Sequence, residues 1–402
     1  MVAVSYWYCF LWLSLALPST HCGAKISSNN FLDYLNRMFS IENIFLIGFV
    51  AFIIAILVLD MLVIDRKAHV VSIKEAATWT FVWIGLALAF SAFLWFFGDM
   101  VHGIQNYADL QAVAAKYARH LTLDPNHFEA SVQSYRHYMT ISYLSGYLIE
   151  KTLSVDNLFV MMMIFASFGV KNTEYQHVLN WGILGAIVLR FIFIFAGAAI
   201  IQRFEWVLLI FGLFLVYSGI KMYLDRNKQE QMDVQHHPMV KFLSKYFHVY
   251  PHFVGDHFFV RAKKQGNTYT LVEHGQHGLL CLTPLLITVI VIEFSDIIFA
   301  FDSIPAIFSV SLDPYVVFFS NIFALLGLRA MFFLLAAVAD KFRYLKVGVS
   351  LLLLFIGVKL LIHKYVEISA VGSLFFIIAV IAISIVASLV LKEKSKASEN
   401  HE

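Results

Sequence analysis

Nine long apolar stretches restrict the folds that this sequence can adopt more than any other feature. A helix needs roughly 20 mostly apolar residues to cross a bilayer, and only helices and closed barrels satisfy their backbone polar groups inside lipid. The stretches are residues 42–64, 76–97, 138–168, 178–200, 206–224, 282–306, 317–338, 346–362 and 367–391. Charged residues make up only 14% of the chain, against about a quarter in soluble domains. The sequence therefore predicts an all-α, polytopic membrane helix bundle with about nine spans.

The amino-terminal region contains a shorter apolar run, over residues 5–18, followed by small and polar residues. This run is too short to cross a bilayer comfortably, and it is typical of the apolar part of a secretory signal, although basic residues before it are missing. We expect residues 1–24 to be a signal peptide or signal anchor. A short tenth membrane helix is the alternative.

Lys and Arg residues are more numerous in the loops on one side of the predicted bundle, as is typical of the cytoplasmic side. The chain is thus expected to cross a membrane with its amino terminus outside and its carboxyl terminus in the cytoplasm. The predicted segments are 42–97 for the first two spans, 98–137 for an external loop, 138–224 and 282–362 for two three-helix units, 225–281 for a cytoplasmic loop, and 363–402 for the last span and a cytoplasmic tail.

The two three-helix units share landmarks at matched spacing. Asp156 precedes Arg190 by 34 residues, and Asp296 precedes Arg329 by 33. Because each unit contains an odd number of spans, the second unit is expected to cross the membrane in the opposite direction. Inverted three-helix repeats of this kind are typical of secondary transporters, whose binding sites lie between the repeats near the middle of the membrane.

Acidic side chains within the predicted spans are the strongest indication of function. An Asp at the centre of a spanning helix costs roughly 2.5–3.5 kcal/mol, so such residues usually face a functional interior. The candidate metal ligands are Glu150, Asp156, Asn157, Glu293, Asp296 and Asp302, and the candidate supporting residues are Ser154, Ser295, Ser303, Arg190, Arg329 and Asp60. Pro305 predicts a helix break near residues 301–305, which would turn Asp302 and Ser303 inward.

Carboxylate, amide and hydroxyl oxygens are hard ligands, which suit Mg²⁺, Ca²⁺ and Mn²⁺ better than Zn²⁺ or copper. The alternative is that the acids form structural ion pairs with Arg190, Arg329 and Lys151. For Arg190 and Arg329, a supporting or gating role and a purely structural role are both open, and an interfacial structural role is equally open for Asp60. The ligand chemistry alone leaves the choice among the three hard cations open.

The acidic motifs resemble those of the TerC/Alx family of bacterial membrane proteins. The similar strings include YLIEKTLSVDNLFV (147–160), WGILGAIVLRFIFIFAGA (181–198), TPLLITVIVIEFSDIIFAFDSIPAIFSV (283–310) and SNIFALLGLRAMFFLLA (320–336). This resemblance covers about residues 42–391 and implies a LysE-like exporter fold in a bacterial cytoplasmic membrane. It further implies a role in manganese export, metal homeostasis or tellurium resistance. It also implies that the six candidate ligands match the acidic motif residues of the family.

We therefore expect a secondary transporter that exports a divalent metal ion, Mn²⁺ by resemblance, as its cargo and binds no permanent cofactor. It is not expected to be an enzyme, because HExxH and GxSxG strings are missing from the sequence. Expected partners are the lipid bilayer and the metal ion, but no nucleic acid. One alternative is a non-transporting scaffold or metal sensor, with soluble resistance or regulatory proteins docking on the His-rich 225–281 loop. Export of an amino acid or another small cation is a further alternative.

Overall fold

The fold is a bundle of helices with one small sheet. The computed structural model describes residues 41–60, 71–119, 121–204, 206–225, 243, 245–265, 268–272, 278–336, 345–362, 365–366, 368 and 370–390. The predicted signal segment, the carboxyl-terminal tail and much of the His-rich loop lie outside these residues.

Eleven helices and three strands lie within the described ranges. The helices are α1 (Ile41–Leu59), α2 (Ile73–Phe97), α3 (Tyr107–Tyr117), α4 (Phe128–Phe168), α5 (Tyr175–Arg203), α6 (Val207–Asp225), α7 (Pro284–Phe308), α8 (Pro314–Leu326), α9 (Leu328–Ala336), α10 (Leu345–Ile362) and α11 (Ala370–Val390). A short 3₁₀ turn (Gly98–Val101) follows α2. The strands are β1 (Phe259–Gln265), β2 (Thr268–Leu271) and β3 (Leu279–Leu282).

The helices expose apolar side chains and bury polar ones, which is the distribution expected of a protein surrounded by lipid. Large apolar residues on the outer surface include Phe81, Leu213 and Phe375, each more than 60% exposed. In contrast, Arg190 and Glu150 have no exposed surface. The predicted class, a polytopic helical membrane protein, is therefore confirmed.

The number of spans differs from the prediction. Among the described residues, six helices are long and apolar enough to cross a membrane, or seven when the bent pair α8 and α9 counts as one span. The described apolar part of α10, from Val347, is shorter than the usual span. Helix α4 is not among the six, and it contains the ionisable side chains of Glu150, Lys151 and Asp156. The count of nine spans is therefore not confirmed.

The predicted span 317–338 is two helices rather than one. Helices α8 and α9 meet at Gly327 with a bend of 43°. Near this break, the ammonium of Lys151 on α4 donates to the carbonyl oxygen of Ala324 at 3.2 Å. A carbonyl in the last turn of a helix lacks an intrahelical partner, so Lys151 stabilises the broken end.

The helix break predicted near Pro305 is wrong. Helix α7 continues through Pro305 to Phe308. A proline removes one backbone donor and disturbs the carbonyl four residues earlier, but here it lies within the last turn, where little helix remains to be disrupted. As a result, Asp302 and Ser303 occupy consecutive positions of a continuous helix and project from different sides of it.

Corresponding helices of the two predicted units pack in pairs: α4 against α7, α5 against α8, and α6 against α10. This pairing is what two units related by a two-fold axis would produce, although the inverted orientation stays a prediction. A cluster of phenylalanines packs α1, α2 and α8 together. In that cluster the ring centres of Phe49 and Phe319 lie 4.4 Å apart, and those of Phe90 and Phe323 lie 4.8 Å apart.

A small antiparallel sheet, in the order β2-β1-β3, interrupts the otherwise helical fold. The alternating run from Thr268 predicts a hairpin edge, and β2 occupies that run. Strand β3 ends at Leu282 and α7 begins at Pro284, with Thr283 as the helix cap. The sheet is therefore joined directly to the helix that carries Asp296.

Helices α6 and α10 cross so closely that their backbones touch at glycines. A Cβ atom added at Gly357 would lie 2.8 Å from the carbonyl oxygen of Gly212, and one at Gly212 would lie 3.0 Å from the carbonyl oxygen of Gly357. Small residues permit this close approach in membrane helices, where van der Waals packing drives association. The crossing therefore depends on glycine at both positions.

We expect Gly357→Ala to destabilise the protein by about 1–3 kcal/mol, because the added methyl group meets backbone atoms that cannot move aside. Thermal unfolding of the purified protein in detergent measures this effect. Gly85→Ala in α2 is the control, since nothing lies within 4 Å of the added Cβ. Equal midpoints for the two variants would show that the crossing is looser than the structure indicates.

Candidate functional site

Arg190 lies at the centre of the buried polar cluster, where α5 places its guanidinium between α4 and α7. The side chain has no exposed surface, so its charge requires partners. Nη1 forms an ion pair with Oε1 of Glu150. Nη2 lies 3.0 Å and Nε lies 3.3 Å from the two carboxylate oxygens of Asp296. One arginine therefore binds one acid from each predicted three-helix unit.

Neutral side chains complete the hydrogen bonding around this arginine. Nη1 also donates to Oδ1 of Asn321 at 3.0 Å and to the hydroxyl of Ser303 at 3.3 Å. Asn321 donates through Nδ2 to Oε2 of Glu150 at 3.2 Å, and the Ser154 hydroxyl donates to Oε1 of Glu150 at 3.3 Å. We call this cluster the Arg190 centre; it consists of Glu150, Ser154, Arg190, Asp296, Ser303 and Asn321.

Glu293, one turn before Asp296 on α7, lies beside the Arg190 centre. Both of its carboxylate oxygens are buried, and neither has a hydrogen-bond partner among the described residues. The carboxylate faces α5, where a Cβ atom added at Gly185 would overlap it. An ionised carboxylate without a partner is strongly unfavourable away from water, so this group requires a proton or a cation.

A small cavity adjoins the centre between α4, α5, α7 and α9. It is lined by Met161, Leu179, Gly182, Ile183, Ala186, Ile292, Asp296 and Leu328. Asp296 is its only acidic lining residue in the described part of the chain. The cavity is mostly apolar, which keeps the local dielectric low and strengthens electrostatic interactions with Asp296.

Arg329, which corresponds to Arg190 in the second unit, belongs to a separate ion pair. Its Nη2 lies 2.8 Å and 2.7 Å from the two carboxylate oxygens of Asp60, and its Nη1 donates to Oδ1 of Asn180 at 2.7 Å. The pair joins the end of α1 to α5 and α9. Among the two roles left open for Asp60, this geometry favours the structural one.

The predicted ligand Asp302 and the predicted supporting residue Ser295 form hydrogen bonds outside the Arg190 centre. Asp302 accepts a hydrogen bond from the Ser218 hydroxyl of α6 at 2.9 Å, on a side of α7 away from Arg190. Ser295 donates to the Val291 carbonyl of its own helix at 2.9 Å. Asn157 is buried on the same face of α4 as Ser154. Asp156 lies within α4, but its side chain is outside the described part of the structure.

Within the described residues, no group of three or more His, Cys, Asp or Glu side chains is arranged to hold a metal ion. In this arrangement Glu150 and Asp296 bind Arg190 instead. The structural ion-pair alternative is therefore observed for these two acids, whereas Glu293 forms no ion pair with a basic side chain in the part of the chain that the structure describes. A metal site formed by all six predicted ligands stays a prediction.

Asn321 is the one member of the Arg190 centre that is not among the residues predicted from the sequence. Its amide binds both Arg190 and Glu150, so it joins α8 to the acids. A signal was present, because an asparagine interrupts the apolar stretch 317–338, and polar residues in membrane spans usually face the bundle interior. Lys151 was considered as a partner of the acids, but it binds the Ala324 carbonyl.

We expect Arg190→Gln to destabilise the protein by about 3–5 kcal/mol, because two buried carboxylates lose the charge that compensates them. Arg136→Gln is the control: its ion pair with Asp99 is partly exposed, and its loss should cost about 1 kcal/mol or less. Chemical or thermal unfolding in detergent compares the two. If Arg190→Gln were no more harmful than the control, the buried acids would have to be protonated in the native state.

Comparison with known proteins places these features in a family. The profile of the Integral membrane protein TerC family matches residues 135–396. A protein of Myxococcus xanthus named "Uncharacterized membrane protein STKORF319" is 40% identical over 352 residues, which cover 88% of this chain and 94% of that protein. No solved structure matches the chain.

Two further relatives are enterobacterial and share a name. The "Putative membrane-bound redox modulator Alx" of Salmonella typhi is 40% identical over 340 residues, which cover 84% of this chain and 92% of that protein. The protein of the same name from Escherichia coli strain K12 is 38% identical over the same coverage. The aligned length includes nearly all of each relative and more than four fifths of this chain.

Proposed function

Because this chain belongs to the Integral membrane protein TerC family, we propose that it is a secondary transporter that exports a divalent metal ion, with Mn²⁺ as the leading candidate. The protein is an integral, multi-pass membrane protein with bacterial relatives. The proposal also includes insertion in the cytoplasmic membrane, the predicted orientation of the termini, export from the cytoplasm and a role in tellurium resistance.

The observation that carries the proposal is an excess of buried acid at the interface of α4, α5 and α7. Among the described side chains, Glu150, Asp296 and Glu293 bring three carboxyl groups to this region, and Arg190 and Lys151 bring two basic groups. A site inside a bilayer that contains more acidic than basic groups is expected to bind a proton or a metal cation. Oxygen ligands favour Mn²⁺, Mg²⁺ or Ca²⁺ over softer ions.

Arg190 has a defined role in this proposal. Its guanidinium compensates Glu150 and Asp296 when no metal ion is bound, which keeps the empty site stable. Binding of a cation requires the guanidinium to move away from the acids, because two positive charges would otherwise share them. When a metal ion replaces the guanidinium at the two acids, α5 must shift relative to α4 and α7. Binding of the ion is thereby coupled to the arrangement of these three helices.

The relatives' name invokes redox modulation, and the described part of this chain offers little support for thiol chemistry. Cys281 is a free cysteine on β3, and burial raises the pKa of its thiol, which lowers its reactivity. The other two cysteines of the sequence, Cys9 and Cys22, are too far apart for a CxxC motif. Redox effects of such a protein would then follow from control of a redox-active metal ion such as manganese.

Ion flux into proteoliposomes tests the proposal. The wild-type protein should transport Mn²⁺. Mg²⁺, Ca²⁺ and Zn²⁺ serve as competitors, and the Mn²⁺ flux should be inhibited most by the ions that share its site. Glu293→Gln should reduce flux at least about tenfold, because it removes a charge that the cation requires without removing the side-chain volume. Undiminished flux in Glu293→Gln and Asp296→Asn would contradict a carboxylate site.

Gly185→Ala offers a second test, which replaces none of the acidic residues. Its methyl group would overlap the Glu293 carboxylate, so that carboxylate must move, whereas the methyl group of Gly182→Ala lies at ordinary contact distances of 3.6–3.8 Å. We expect Gly185→Ala to reduce Mn²⁺ flux about tenfold or more, since small displacements of positioning groups have large effects. Gly182→Ala, on the same helix, should retain most of the flux. Equal flux in the two variants would separate Glu293 from transport.

A further inference from the structure

A second buried charge cluster lies away from the Arg190 centre, at the end of the bundle where α1 and α8 begin. His102 follows the 3₁₀ turn after α2, and its side chain has no exposed surface. Its Nδ1 lies 2.8 Å from Oε1 of Glu42 on α1, and its Nε2 lies 2.8 Å from Oδ2 of Asp313. One imidazole thus bridges two acids that are far apart in the sequence.

With both acids ionised, this geometry requires a doubly protonated ring. A neutral imidazole has one N–H group and can donate to one carboxylate only, while its other nitrogen presents a lone pair that repels the second. An imidazolium donates to both acids and compensates part of their charge. Both carboxylates have further partners: the backbone N–H of Tyr315 donates to Oδ1 of Asp313 at 2.9 Å, and the Tyr315 hydroxyl donates to Oε2 of Glu42 at 3.4 Å.

Several helices pack around His102 and bring ionisable side chains close to it. The titratable or charged residues that lie near His102 and its two acids are Glu42 on α1, Lys116 and Tyr117 on α3, Tyr135 and Tyr138 on α4, and Asp313 and Tyr315 at the start of α8. Gly103, the next residue, has φ of 62°, and a Cβ there would lie 2.8 Å from Ile41. The turn that carries His102 is therefore packed directly on the start of α1.

Helix α8 connects this cluster to the Arg190 centre. Asp313 caps its amino end and binds His102, all of its residues are buried, and Asn321 extends from its middle to Arg190 and Glu150. At its other end, Lys151 binds the Ala324 carbonyl. A short helix held by a cationic side chain at each end can place Asn321 only where both attachments allow.

We propose that protonated His102 is a positioning residue, which fastens α8 to α1 through Glu42 and Asp313 and thereby holds Asn321 in the Arg190 centre. The attachment itself does not depend on the proposed transport function; only its consequence for transport rests on that proposal. Loss of the proton leaves two acids facing one neutral ring, which can donate to only one of them, so the polar attachment between the amino end of α8 and α1 is weakened.

The pH dependence has a definite sign. Burial opposes the charge on His102, but the nearby Asp313 and Glu42 carboxylates outweigh it and raise the pKa to about 9 from a reference of 6.5. A group whose pKa is raised on folding contributes its full stabilisation below the unfolded pKa and loses it as the pH rises through the folded pKa. The attachment is therefore complete at pH 6 and is lost between about pH 7 and pH 10.

The test is thermal unfolding of the full chain in detergent from pH 6 to pH 10. We expect the wild-type midpoint to fall by several degrees as the pH rises through about 9. His102→Gln should have a lower midpoint at pH 7 and lack this step. Glu42→Gln, whose side chain is partly exposed and which retains the imidazole, should keep the step at a lower pH. His127→Gln is the control, since His127 is an exposed histidine 2.7 Å from Asp124.

A double-mutant cycle then tests the link to Asn321. If His102 positions Asn321, the midpoint loss of His102→Gln with Asn321→Ala should be smaller than the sum of the single losses, although the two side chains share no contact. The pair His127→Gln with Asn321→Ala should be additive. If His102→Gln fails to fold, Glu42→Gln takes its place in the cycle. A pH step that persists in His102→Gln, or additive losses in the cycle, would overturn the proposal, and neither readout involves metal flux.

Discussion

The placement of one arginine between two carboxylates in a medium of low dielectric is the constraint on which the rest of this structure depends. Arg190 cannot be solvated where it lies, so Glu150, Asp296, Ser303 and Asn321 must approach it from three other helices. Such a network fixes the relative positions of α4, α5, α7 and α8 more strictly than apolar packing does, because each unsatisfied partner would carry a large desolvation penalty. Lipid-facing surfaces have no comparable requirement, and their residues are interchangeable apolar side chains.

Much of the fold could be predicted from the sequence, because the requirement for long apolar helices in lipid leaves few options. Each of the nine apolar stretches contains helical residues, and the run from Thr268 contains a strand. The details that failed are local. Pro305 lies too near the end of α7 to break it, and Gly327 bends a stretch that hydropathy alone presents as continuous. Neither effect is visible without knowing where the helix ends or which carbonyls find partners.

The residues of the candidate site could largely be predicted from the sequence, but the contacts between them could not. Intramembrane position identified Glu150, Asp296 and Arg190 as members of one functional region, and the structure brings these three together. Helical periodicity could not show that Arg329 binds Asp60, because that contact depends on how α1 packs against α9. Nor could it separate Asp302 from the others while the helix around Pro305 was expected to break. Nothing in the sequence indicated that His102 is buried, because it lies beyond the end of an apolar stretch, where a histidine is usually solvated.

The close crossing of α6 and α10 has a mechanical consequence. Two backbones in contact at Gly212 and Gly357 can rotate or slide past one another while their separation stays nearly constant, whereas moving apart would expose surfaces that no side chain could fill. Any rearrangement between the two halves of the bundle would therefore take place around this contact as a fixed pivot. Displacements would be smallest at the third helix of each unit and would grow toward α4 and α7, the helices that carry the acids.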